Sequence, residues 1–192
     1  MTKKDILPRL NLRRINGKFI AELSGGHSLD YLPIREQVEE QKFTGLLSNI
    51  EVLYCENKLY ELDIFDTEFL NFNGIVYNSL ELRLTNNYFL ESFYGYSNNV
   101  LKTMYIVRCD KLCFTNIHNC SLNNLEKIYV DEFVSNILGL VLLPKLKDVL
   151  TYASNKDFTL HSLVNKHLQG EKDVLEFQEE LITNGYRHFA KL

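Results

Sequence analysis

The residues best equipped for chemistry fall in one segment. Cys109, Cys113, His118 and Cys120 read C-x3-C-x4-H-x-C, four soft donors close together in the chain. Structural zinc sites pair ligands through C-x2–4-C, so the first two cysteines have a spacing that thiolate coordination uses. The same thiols beside His118 also supply the parts of a Cys–His nucleophile, in which an imidazole takes the thiol proton. A plainer role competes with both. Free cysteine behaves as a small buried hydrophobe, and Cys55, Cys109, Cys113 and Cys120 all lie in or near apolar runs. His27, His161, His167 and His188 are further bases, but no local motif ties any of them to a Cys or Ser. His161 and His167 flank an apolar stripe and read as surface or half-buried residues.

The motifs that set a nucleophile, a metal pair or a phosphate cradle are missing from the sequence: G-x-S-x-G, H-E-x-x-H and a Walker loop do not occur. Gly25-Gly26-His27 lacks the Lys-Ser/Thr of a phosphate loop and reads as a turn. Glu39-Glu40 and Glu179-Glu180 fit the polar faces of amphipathic helices. The expectation is therefore no catalytic residue, no cofactor and no metal. A Cys/His-dependent enzyme or zinc protein is kept as an alternative.

The elements that must carry these residues follow one phrase. Leu101, Met104, Ile106 and Cys109 have the spacing L-x-x-L-x-L-x-x-N/C. That spacing gives a short strand with its apolar residues in a stacked core, then a turn whose Asn or Cys bonds neighbouring backbone. The phrase recurs at Leu59-Leu62-Ile64-Thr67, Ser79-Leu82-Leu84-Asn87, Leu125-Ile128-Val130-Phe133 and Leu146-Val149-Thr151. The starts at 59, 79, 101, 125 and 146 are 20, 22, 24 and 21 residues apart. Repeats of this type run at about 20–29 residues. Leu47-Ile50-Val52-Cys55 also matches, but it lies only 12 residues before the next start. A hairpin or abrupt bend through Glu56-Asn57-Lys58 is the better expectation there.

Over residues 47–152 the chain resembles the leucine-rich repeat family, without pointing to a subfamily. The resemblance implies an α/β repeat fold, a short irregular solenoid. An N-terminal β-hairpin and helix (1–46) would cap one end of the repeats (47–153), and a helical segment (154–192) the other, all in one compact domain. Stacked arrays need such caps because their terminal coils expose apolar surface. In the first cap, Leu10–Leu23 alternates around Asn16-Gly17, a hairpin signature. Pro33 then opens a helix over 33–43. In the second, Leu160, Leu163, Val164 and Leu168 have helical spacing up to Gly170. A further helix over 172–183 buries Val174, Leu175, Phe177, Leu181 and Ile182, and Asn184-Gly185 stops it.

Composition agrees with one globular domain: 192 residues, 45% hydrophobic and 24% charged. The net charge of −4 makes nucleic acid a poor default partner. The basic run of Lys3, Lys4, Arg9, Arg13, Arg14 and Lys18 reads as a solvated edge. No stretch is apolar for long enough to span a membrane, and MTKKDILPRL does not lead into a signal-peptide core. A cytoplasmic location with reduced thiols is expected.

In a repeat strand, the residues between the apolar positions face outward. That register predicts a central column of Asp63, Arg83, Tyr105, Tyr129 and Leu150. Beside it runs a second column of Phe65, Thr85, Val107, Asp131 and Tyr152. Aromatics with a polar tip are what protein interfaces concentrate. Acidic residues (Glu61, Asp63, Asp66, Glu81) precede basic ones (Lys102, Arg108, Lys127, Lys147) along the repeats, which would orient a complementary partner. The expected function is a non-enzymatic module that binds another protein through this concave face. The tyrosine- and asparagine-rich composition fits a phage, viral or pathogen inhibitor of a host factor. A self-assembling structural subunit is the alternative from another class.

Overall fold

The computed structural model describes residues 9–15, 18–24, 59–65, 79–151, 158–170 and 172–191. The expected helix over 33–43, the phrase over 47–55, the turns at 16–17, 25–26 and 154–157, and Asp66, Thr67 and Tyr152 lie outside them. Seven strands form one sheet in sequence order: β1 (Arg9–Ile15), β2 (Lys18–Ser24), β3 (Leu59–Phe65), β4 (Glu81–Thr85), β5 (Thr103–Val107), β6 (Lys127–Val130) and β7 (Asp148–Thr151). β1 and β2 pair antiparallel, with Ile15 opposite Lys18, as the hairpin reading expects. From β3 onward every strand runs parallel to the one before it. Two helices, α1 (Phe158–Gln169) and α2 (Val174–Thr183), follow the last strand. The architecture is an α/β fold.

Both edges of β3 are taken by parallel neighbours, β2 and β4. The hairpin or abrupt bend expected before this strand, through Glu56-Asn57-Lys58, lies outside the described residues.

Each strand from β4 to β7 turns its apolar positions inward. Leu82, Leu84, Met104, Ile106, Ile128, Val130 and Val149 are buried, each contributing about 1.5–3 kcal/mol of apolar burial. Parallel neighbours require a long return path. Here the returns are irregular segments with short 3-10 turns at Ile117–Asn119 and Leu138–Leu142. They close the core with Leu90, Phe93, Leu112, Phe114, Leu140 and Leu143. Their backbone is also paired across coils: Cys113 N–H donates to Glu91 O at 3.0 Å, and Phe114 N–H to Asn136 O at 2.9 Å.

The blemished positions of the phrase have physical solutions. Ser79 is fully buried in an apolar slot; its hydroxyl donates to Glu81 O, and its carbonyl accepts from Asn98 Nδ2. Phe133 takes an Asn position and cannot bond backbone. Its ring packs instead edge-on to Phe114 and Phe189 and stacks on His161 at 4.6 Å, where the helical segment meets the sheet.

The last strand is closed by a side chain. Asn165 on α1 accepts from Val149 N–H at 2.8 Å and donates to Val149 O at 3.0 Å, standing in for the peptide of a next strand. Asp173 caps α2 by accepting from the N–H groups of Leu175 and Glu176. Two expectations on the helices need correction. Phe177 and Leu181 are buried, but Leu175 and Ile182 are 62% and 45% exposed. At 3.6 residues per turn these two share a different stripe from Phe177 and Leu181. His161 and His167 are buried rather than superficial. His161 stacks on Phe133, and His167 lies against Phe177 with Nε2 3.2 Å from Glu180 Oε2. Among the described residues no helix is long and apolar enough to cross a membrane.

Two returns approach each other closely at Gly139, where an added Cβ would lie 2.0 Å from Phe114 O and 2.7 Å from Thr115 O. Both obstacles are backbone. Gly139→Ala is expected to destabilise the fold by about 1–3 kcal/mol, as overpacking does, measured by urea unfolding. An unchanged midpoint would contradict this packing of the returns.

Candidate functional site

The outward face of β4 to β7 carries the central column in register. Asp63 pairs with Arg83, Arg83 with Tyr105, Tyr105 with Tyr129 and Tyr129 with Leu150. Strands in a sheet lie about 4.8 Å apart, which is close to the separation of stacked rings. Tyr105 and Tyr129 use this match: their centroids are 4.8 Å apart and their planes differ by 10°. The Arg83 guanidinium lies 4.0 Å from the Tyr105 centroid, on the strand before. Glu81, two residues earlier on the same face, holds that guanidinium at 3.5 Å. Leu150, 38% exposed, ends the row. Stacked pairs of this kind are worth about 0.5–1.5 kcal/mol, so the row is ordered by its own contacts.

The second column is less regular. Phe65, Thr85 and Val107 are in register. Asp131 follows β6 and holds backbone instead of facing a partner. Its Oδ2 accepts from Arg108 N–H at 2.7 Å, and its Oδ1 from Glu132 N–H at 3.0 Å. Arg108 needs this support because its φ is +52°, in the left-handed region that costs a side-chain-bearing residue energy.

Of the charges expected along the sheet, the side chains of Glu61, Asp63 and Asp66 lie outside the described residues. Arg83 stands beside Glu81, and Asp131 and Asp148 among the later cations. Lys147 is paired with Glu126 at 3.5 Å. Lys102 and Lys127 are exposed at the N-terminal ends of β5 and β6, while acids and cations are mixed beyond their C-terminal ends, where Asp110, Glu132, Arg108 and Lys111 are exposed.

Among the described residues, Cys109, Cys113 and Cys120 are not gathered into a site. Cys109 Sγ lies 3.8 Å from Leu84 O and 3.6 Å from Val107 O, inside the core. Cys120 Sγ bonds Phe93 O at 3.2 Å. Cys113 Sγ lies 2.8 Å from Thr115 Oγ1, and His118 is exposed on the 3-10 turn. Among the described residues no three His, Cys, Asp or Glu side chains are grouped to hold a metal ion. Burial pushes the Cys109 thiol up to about 11, against hydrogen bonding from Asn87 that lowers it, and burial likewise pushes Cys120 up to about 11. Both are protonated near neutrality and weak as nucleophiles.

Features the sequence did not single out include Asn165 and an exposed aromatic corner. Tyr88 and Phe89 are 44% and 45% exposed after β4, with the Lys111 ammonium 5.4 Å from the Phe89 centroid. Only a side chain's position in the assembled sheet gives Asn165 its role, so no local pattern could have marked it. An open cleft of about 660 Å³ lies between α2 and the C-terminal turn, lined by Gln178, Ile182, Arg187 and His188 among others. Compared with family models, curated proteins and solved structures, the chain has no match.

The raised thiols fix a pH dependence. The unfolded thiols lose their protons near 9 and the folded ones near 11, so the folded state binds more protons between those values. Stability from this source is complete below pH 9 and falls as pH rises toward 11. Urea unfolding across that range should show a decline that Cys109→Ala with Cys120→Ala makes shallower. An identical slope in the variant would contradict the burial of these thiols.

Proposed function

We propose that this chain is a short, irregular leucine-rich-repeat-like solenoid whose sheet face binds a partner protein. The observation that carries the reading is the row Arg83-Tyr105-Tyr129-Leu150: two stacked tyrosines, flanked by an oriented guanidinium and an exposed leucine. Tyr and Arg are the residues in which interfaces concentrate binding energy. Their mutual stacking lowers the ordering cost that association imposes on long side chains. The coil spacing of 20–24 residues and the in-register parallel pairing support the repeat architecture. The absence of a recognised catalytic motif in the sequence supports a binding role over an enzymatic one. The role we assign to this face is inhibition of a host factor by a phage, viral or pathogen protein.

The test is affinity capture from a lysate of the native host with mass spectrometry, comparing the wild type with a Tyr105→Ala, Tyr129→Ala variant. Folding of the variant is checked by circular dichroism. One protein held by the wild type should be weakened by at least about 2 kcal/mol, roughly 30-fold, in the variant. Equal capture by both would move the binding surface off this face.

A further inference from the structure

We propose that the segment bound on this face has an apolar centre and an acidic end, and lies along the strands with that end over Lys102 and Lys127. The inference rests on the binding-face reading above and specifies the chemistry of its partner. The whole chain carries a net charge of −4, so two exposed cations without acidic partners at one margin of the face depart from the average surface. Among the described residues neither Lys102 nor Lys127 pairs with a carboxylate. The nearby acids are partly committed: Glu81 holds Arg83, and Glu126 holds Lys147. Asp148, in register with Lys127 on β7, limits the cationic zone on that side.

The far margin is balanced. Asp110 and Glu132 are exposed there beside the exposed cations Arg108 and Lys111, and Asp131 is bound to backbone. An acidic end is therefore favoured at the first margin over the second, which sets direction as well as composition. Between the margins lie Tyr105, Tyr129 and Val107, a semi-apolar centre. β5 is five residues long, about 16 Å at roughly 3.3 Å per residue. One extended segment of similar length covers it from margin to margin.

The probes are three short fluorescent peptides of equal length with an Ile- and Phe-rich centre, bearing glutamates, serines or lysines at one end. Anisotropy is read against the full chain at low and at physiological salt. The glutamate peptide should bind about tenfold tighter than the serine peptide at low salt, a gap that narrows as salt screens the surface. Lys102→Glu with Lys127→Glu should abolish the gap, and Lys102→Arg with Lys127→Arg should keep it. Equal binding of the glutamate and serine peptides, tighter binding of the lysine peptide, or no binding of any peptide overturns the proposal. Host-protein capture lost with Tyr105 and Tyr129 would survive that result. The face reading and the acidic-end inference therefore fail separately.

Discussion

The in-register parallel pairing of β4 to β7 is the constraint from which the rest follows. In a strand, side chains alternate between faces, so a slip of one residue in any pair would send the buried set outward. Leu82, Met104, Ile128 and Val149 are Cα partners in one row, and all are buried. The same register leaves Arg83, Tyr105, Tyr129 and Leu150 in line on the other face. Core and surface row are thus one decision. The hydrophobic burial that stabilises the sheet also brings two tyrosine rings to stacking distance.

The core tolerates irregular sequence because its polar groups are satisfied between segments distant in the chain. Asn98 shows the device: buried, it donates to Ser79 O and Tyr96 Oη and accepts from Val100 N–H. Leaving such a group unpaired would cost about 1–3 kcal/mol. Buried Cys109 and Cys120 serve similarly, each directing its thiol at a carbonyl of the preceding coil. At the end of the sheet, Asn165 and the packing of α1 on β7 take over the pairing that another strand would supply. Lys166 and His167 on α1 meet Glu180 on α2 and tie the two helices together. The outer face of the sheet is left with the side chains that do none of this.

What could be read from the sequence was whatever depends on spacing. The interval from Leu101 to Cys109 marks the strand and the turn, and alternation marks the central column from Arg83 to Leu150. The stop at Asn184-Gly185 was visible because Gly185 must adopt a positive φ, here +89°. What could not be read depends on long-range assembly. The pairing of β3 with β2 and β4 joins strands far apart in sequence, which no local pattern marks. Leu175 and Ile182 look like core residues, but they lie on a different stripe of α2 from buried Phe177 and Leu181. The zinc-like spacing of Cys109, Cys113, His118 and Cys120 dissolves because the coil directs the thiols at different carbonyls. The charge pattern is hidden for a related reason. Counting signs along the chain ignores that Glu81 and Glu126 are paired with Arg83 and Lys147.

The most direct measurement is solution NMR with selectively labelled tyrosine, reading cross-strand nuclear Overhauser effects from the two rings. If the register is as described, the Tyr105 ring shows strong effects to the Tyr129 ring, with centroids 4.8 Å apart, and to the Arg83 side chain. Effects from the Tyr105 ring to Ile128 or Val130 methyls, with none to Tyr129, would mean a slipped register. That result would contradict both the core and the proposed binding face.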